Sequence, residues 1–112
     1  MIVPAQDVRL VLSTTGSREE AERIAHALVE GRLAACVNLI PGLTSIYRWQ
    51  GAVESAEEIL LLIKTRAESV DRVESLVRTL HSYDVPEFLV LGPEAASKPY
   101  LEWLLQSVRS QP

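Results

Sequence analysis

The chain has 112 residues, 47% of them apolar and 23% charged, and a net charge of −4; that length suits one domain, spanning 1–112, with a core that needs no covalent staples. Without a basic cluster it lacks the electrostatic footprint of a nucleic-acid binder, and it holds no apolar run of about eighteen residues that would span a membrane. Its one cysteine, Cys36, has no partner for an internal disulfide, and the opening MIVPAQDVRL lacks the features of a signal peptide, so a cytoplasmic protein is expected.

Asp7 to Thr14 (DVRLVLST) reads as a strand. Ser17 then opens a helix, and Glu20 three residues later completes a capping box. Ala21, Ile24, Ala25 and Leu28 follow at helical spacing as an apolar stripe. Gly31 is expected to end this helix as a left-handed cap. Ala34 to Trp49 reads as a second, long strand with an irregularity at Pro41-Gly42. Gln50-Gly51 turns it into a third strand that carries Ile59-Leu60-Leu61-Leu62-Ile63. Thr65 and Glu68 form a second capping-box pattern. Val70, Val73, Val77 and Leu80 line a second helix that ends near His81. Pro86 keeps Val85 extended in the loop that follows. Glu87 to Leu91 is a short strand broken by Gly92-Pro93, and Ser97 caps a last helix with Leu101, Leu104, Leu105 and Val108. Ser110 to Pro112 is expected to fray.

The order β-α-β-β-α-β is that of an α+β, ferredoxin-like sandwich, here with a long central hairpin and an extra C-terminal helix. Sixteen extended residues would reach roughly 50 Å, whereas a compact domain of this length is roughly 35 Å across. The hairpin must therefore bend, protrude or lie on a neighbour. In this fold both helices cover one face of the sheet, yet Leu10–Leu12, Ile59–Ile63 and Phe88–Leu91 carry apolar side chains on both faces. An uncovered apolar face is an association surface, so a closed homo-oligomer is expected.

LAACVNLIPGLTSIYRWQG at Leu33–Gly51, EEILLLIKT at Glu57–Thr65, HSYDVPE at His81–Glu87 and YLEW at Tyr100–Trp103 resemble the CutA divalent-cation tolerance family, over about residues 8 to 108. The resemblance implies a ferredoxin-like homotrimer with sheets inside and helices outside. It implies a role in tolerance of copper and other divalent ions, with no enzymatic reaction and no organic cofactor. Such trimers are similar to PII-type signalling proteins, which bind small effectors between subunits. Some bacterial members have a cysteine and a second histidine where this chain has Ser13 and Leu80, both poor copper ligands, and their usual His-Pro-Tyr-Glu is His81-Ser82-Tyr83-Asp84 here.

His81 is the first candidate metal ligand, because imidazole suits copper or zinc and a helix C-terminus favours a cation; the alternative is a residue that bonds the helix's last carbonyls. Asp84 and Glu87 are candidate helpers, and Cu2+ the favoured ion. Cys36 is either a small buried hydrophobe or a thiolate for soft copper. Tyr47 and Trp49, two apart on one face, are either anchors against a neighbouring subunit or a cleft wall on which a planar ligand stacks. Lys64 follows five apolar residues and invites a salt-bridge partner or an anionic ligand. With Glu57, Glu87, Tyr83 and His81 these residues compose a candidate inter-subunit cleft, a grouping that rests on the resemblance. His26, between Glu22 and Glu30 at helical spacing, fits a solvated surface better than a weak metal site. No nucleophile elbow, Walker loop, C-x-x-C pair or H-E-x-x-H is present. Three functions follow in order: a metal-binding tolerance trimer, a trimeric module for a small anionic effector, and a scaffold whose arms dock protein partners.

Overall fold

The structure, a computed structural model, describes residues 1–110; the rest of the tail expected to fray lies outside the described residues. Its elements are β1 (Ile2–Pro4), β2 (Val8–Thr15), α1 (Arg18–Glu30), β3 (Cys36–Trp49), β4 (Ala52–Arg66), α2 (Val70–Leu80), β5 (Leu89–Leu91), β6 (Ala95–Ser97) and α3 (Lys98–Ser107). The main sheet has the order β3-β4-β2-β5 with antiparallel neighbours, which is the ferredoxin-like arrangement. A second sheet pairs β1 with β6, two short strands that the sequence pattern does not announce. They tie the N-terminus to the start of α3, where the Lys98 N–H donates to the Met1 carbonyl.

Ser17 caps α1 as expected, its hydroxyl accepting from the Glu20 N–H at 3.2 Å. The return half of the capping box is diverted, because the Glu20 carboxylate bonds Ser82 instead. The left-handed cap falls one residue later than expected. Gly31 keeps a helical φ of −79°, and Arg32 takes +58°. Glycine serves Gly31 through space, since a Cβ there would lie 3.0 Å from the Ala27 carbonyl oxygen. Arg32 reaches the Gln106 and Ser107 carbonyls and so neutralises the C-terminus of α3.

The second expected capping box does not form. Thr65 stays in β4 and gives its hydroxyl hydrogen to the Leu33 carbonyl. The chain makes a 3-10 turn over Ala67–Ser69 before α2 begins. The sheet keeps Thr65 because its register with Arg9 completes the β2–β4 ladder. The last strand of the main sheet is also shorter than expected, beginning at Leu89.

Along β3 and β4 the hairpin behaves as its residues dictate. Gln50 and Gly51 both have positive φ, +50° and +82°, the conformation of a tight two-residue turn. The register shifts between Ile40 and Leu43, so Pro41 and Gly42 stand opposite Ile59 alone. Such a bulge bends the strand and adds twist. The arm protrudes: the molecule extends 46 × 26 × 22 Å.

One core lies between the sheet and the two helices, where Val11, Leu61 and Ile63 meet Ala21, Ile24, Leu28, Val73 and Val77. A smaller core under α3 joins Ala5, Val8, Ala35, Leu104 and Val108. The alternate side chains, Leu10, Leu12, Leu60 and Leu62, lie half-buried on the opposite face, and Leu89 and Leu91 are exposed there.

Candidate functional site

The loop between α2 and β5 is held against the end of the sheet by side chains from three elements. His81, whose backbone N–H bonds the Val77 carbonyl, ends α2. Its Nε2 lies 2.7 Å from the Thr14 carbonyl oxygen, and its Nδ1 lies 3.0 Å from the Tyr83 backbone nitrogen. A carbonyl can only accept and an N–H can only donate, so these partners assign the ring hydrogen to Nε2 and a lone pair to Nδ1. Glu20 Oε2 is 3.7 Å from Nδ1, too long to compete with the Tyr83 bond. Glu20 instead accepts from the Ser82 N–H at 3.0 Å and the Ser82 hydroxyl at 3.2 Å. Ser13, almost fully buried, donates its hydroxyl to the Glu87 carbonyl at 2.7 Å.

Tyr83 crosses from this loop to the base of the arm. Its hydroxyl donates to Glu58 Oε2 at 2.8 Å, and its ring lies 4.7 Å from the His81 ring. Partial burial, and then the bond to the Glu58 carboxylate, push the Tyr83 phenol up to about 12. It therefore remains a hydrogen-bond donor at neutral pH.

Between loop and arm lies an open cleft of about 760 Å³. Tyr47, Trp49 and Tyr83 supply aromatic wall, and Glu54, Glu58, Asp84 and Glu87 supply carboxylates. Among the described residues lining it there is no lysine or arginine. The hairpin register explains the arm's share. Tyr47 pairs with Glu54 across the two-residue turn, and alternation keeps Trp49, Glu54 and Glu58 on that side.

Five of the residues expected in a site are therefore together: Tyr47, Trp49, Tyr83, Asp84 and Glu87. Four are not among the cleft's lining. His81 sits behind Tyr83 with both ring nitrogens engaged inside the chain, so neither offers a metal a free lone pair in this geometry. Glu57 faces away, because alternation sends it to the side opposite Glu58. Cys36 and Lys64 pair with each other further down the sheet. Lys64 lies six positions along β4 from Glu58, roughly 20 Å of strand, and the Lys64 ammonium lies 5.7 Å over the Tyr100 ring. Glu54 and Glu58 were missed from sequence, although the two-residue turn at Gln50-Gly51 already sets Glu54 opposite Tyr47.

The fit to a metal centre is poor within the protomer. Among the described residues no group of three or more His, Cys, Asp and Glu side chains is placed to hold an ion. Ser13 spends its hydroxyl on the loop backbone, and Leu80 packs against the main core. His26 lies 3.1 Å from Glu30 on an exposed helix face, in keeping with a solvated pair. No helix among the described residues is long and apolar enough to cross a membrane.

Comparison with known proteins agrees with this architecture. A divalent-cation tolerance protein CutA of Thermus thermophilus is 50% identical over 98 residues, which are 88% of this chain and 95% of that protein. Human Protein CutA is 45% identical over 87% of this chain, which spans only 54% of the human protein. The solved structure of a protein described as the periplasmic divalent cation tolerance protein CutA of Archaeoglobus fulgidus superposes with a TM-score of 0.88 at 38% identity, covering 91% of this chain and 99% of that one. The family model described as CutA1 divalent ion tolerance protein matches residues 9–107. With that match, and with the sheet order and the long hairpin already in place, the chain belongs to the CutA1 divalent ion tolerance family.

Proposed function

We propose that this protein serves divalent-cation tolerance as a cytoplasmic homotrimer, and that the cleft beside the arm is where it senses cations. The observation that carries the reading is the cleft's charge: four carboxylates and no lysine or arginine in its lining. Glu54, Asp84 and Glu87 are exposed and free to approach a hydrated divalent ion, whereas His81 keeps the loop that carries Asp84 and Glu87 in place. Without a preformed ligand set, an ion would be held loosely, largely through its own water. Of the common divalent ions, Cu2+ binds a nitrogen or oxygen site most tightly. The trimer draws its support from the apolar sheet face carrying Leu60, Leu62, Leu89 and Leu91. The expected activity is sensing or sequestration rather than catalysis, with no organic cofactor.

The anionic-effector reading stands second, because within one protomer Lys64 lies away from the cleft, over the Tyr100 ring. Calorimetric titration of the metal-free protein with Cu2+, beside His81→Ala, Glu54→Gln and Glu87→Gln, tests the metal reading. Weak saturable binding that the two carboxylate variants diminish is the expected result. Failure of the parent protein to bind saturably, or binding indifferent to both carboxylates, would set the reading aside.

A further inference from the structure

We infer that His81 and Glu20 form a proton-operated latch on the loop between α2 and β5, and that a second proton on the imidazole releases the Tyr83 backbone from the ring. The inference stands whether or not the cleft binds a cation. Its groups lie inside one protomer. The His81 side chain has no exposed surface and that of Glu20 retains 8%, so a neighbouring copy does not reach the ring.

The neutral ring is fully used. Its Nε2–H donates to the Thr14 carbonyl at 2.7 Å, and its Nδ1 accepts the Tyr83 N–H at 3.0 Å. An added proton has one place to go, the Nδ1 lone pair, and that is the atom that holds Tyr83. An imidazolium donates from both nitrogens. The Thr14 bond survives the change. The Tyr83 bond does not, because two N–H groups then face each other. A new acceptor stands close by: Glu20 Oε2 is 3.7 Å from Nδ1. A move of about 1 Å makes that contact a charge-assisted hydrogen bond. Glu20 Oε1, which accepts the Ser82 N–H at 3.0 Å, keeps its partner, whereas the Ser82 hydroxyl, 3.2 Å from Oε2, must share.

The two protonation states thus hold the loop by different bonds. With a neutral ring, the Tyr83 backbone is tied to His81. With a charged ring, His81 is tied to α1 through Glu20, and the Tyr83 amide is free. Tyr83 then keeps only its side-chain anchor, the hydroxyl bond to Glu58 at 2.8 Å. Of the titratable groups around the ring, Glu20 comes from α1 and Tyr83 from the loop, with Glu58 of β4 behind it; β2 offers the Thr14 carbonyl. The Tyr83 phenol, pushed up to about 12, keeps its proton throughout acidification.

The test follows the 15N-labelled full chain from about pH 8 to about pH 5, the range in which histidine ordinarily changes charge. Long-range 1H–15N spectra read the ring, and amide exchange reads the loop. The chain has two histidines, so His26→Gln, at an exposed position, leaves His81 as the one imidazole signal. At the upper end the ring should carry its hydrogen on Nε2. On acidification Nδ1 should gain a proton, and the Tyr83 amide shift should follow with the same midpoint. Tyr83 amide exchange, corrected for its intrinsic pH dependence, should rise about fivefold on the loss of one hydrogen bond. His81→Asn sets a neutral amide oxygen near the place of Nδ1 and should hold that exchange constant. If this variant fails to fold, the His26→Gln spectra decide alone. A hydrogen on Nδ1 at the upper end would overturn the inference. So would a ring that takes no second proton by about pH 5, a Tyr83 amide indifferent to the ring, or loosening that spreads evenly through α1 and α2.

Discussion

The Tyr83 hydroxyl donates to the Glu58 carboxylate at 2.8 Å, joining two residues 25 positions apart. This contact closes one end of the cleft, because it fixes the loop carrying Asp84 and Glu87 to the base of the arm carrying Tyr47 and Trp49. Glu58 is 9% exposed, so its carboxylate has little water to fall back on if the bond is lost.

Tyr83→Phe should therefore cost about 1–2 kcal/mol, read from the denaturant midpoint, since it leaves a buried carboxylate short of a donor. The bond also predicts a pH dependence. Folding raises the Tyr83 phenol from 10.0 to about 12, so it favours the protonated form. That contribution is complete below pH 10 and is lost as pH rises towards about 12. Parent and Tyr83→Phe should differ in stability at neutral pH and converge over that alkaline window. Parallel stability curves up to the top of the window would show that the phenol is not the group responsible.

Gly16 lies against the same hydroxyl. A Cβ there would stand 3.0 Å from the Tyr83 oxygen. Gly16→Ala should push the phenol off Glu58, cost about 1 kcal/mol and move the Tyr83 titration back towards 10.0, as followed by phenolate absorbance. Combined with Tyr83→Phe, the alanine should cost less than it does alone, because the crowded oxygen is gone. Strict additivity in that double-mutant cycle would contradict the close approach of Gly16 to the phenol.

Glu20 is 7% exposed and holds Ser82 through two bonds. Glu20→Ala should destabilise the fold by about 2 kcal/mol. It should also raise amide exchange in the loop after His81 more than in α1, because the Ser17 cap remains. Uniform loosening of α1 instead would place the role of Glu20 in the helix start.

Leu61 and Leu62 are neighbours in β4 that serve opposite faces. Leu61 is fully buried in the core under α1 and α2, and Leu62 lies half-buried on the other face. Leu61→Ala should cost about 3 kcal/mol whatever the protein concentration. Leu62→Glu should leave the protomer core intact and lower the mass measured by light scattering, with a thermal midpoint that falls on dilution. A Leu62→Glu protein of unchanged mass would argue against the sheet face as the assembly surface.

Much of this architecture is legible from local chemistry. The helices are visible because Ala21, Ile24 and Leu28, and Val73 and Val77, recur at helical spacing, and those residues are the buried ones. Gly42 and Gly51 announce the bulge and the turn, since glycine tolerates the positive φ observed at both. The misses share a cause. Thr65 followed by Glu68 is a sound helix-start pattern, yet cross-strand pairing with Arg9 keeps Thr65 in the sheet. The pairing of β1 with β6 is invisible in the sequence because each strand is three residues long and finds its partner more than ninety positions away.

The site divides in the same way. Tyr47, Trp49 and the facing Glu54 follow from the period of a strand and a two-residue turn, both local rules that sequence alone determines. What the tertiary structure decided was which loop meets them. Whether His81 offers a lone pair depends on Thr14 and on its own loop, 67 residues from Thr14 and two from Tyr83. Whether Lys64 serves the cleft depends on its distance along β4. Hydrogen bonds and charges act over a few ångströms, and only folding sets which residues come that close.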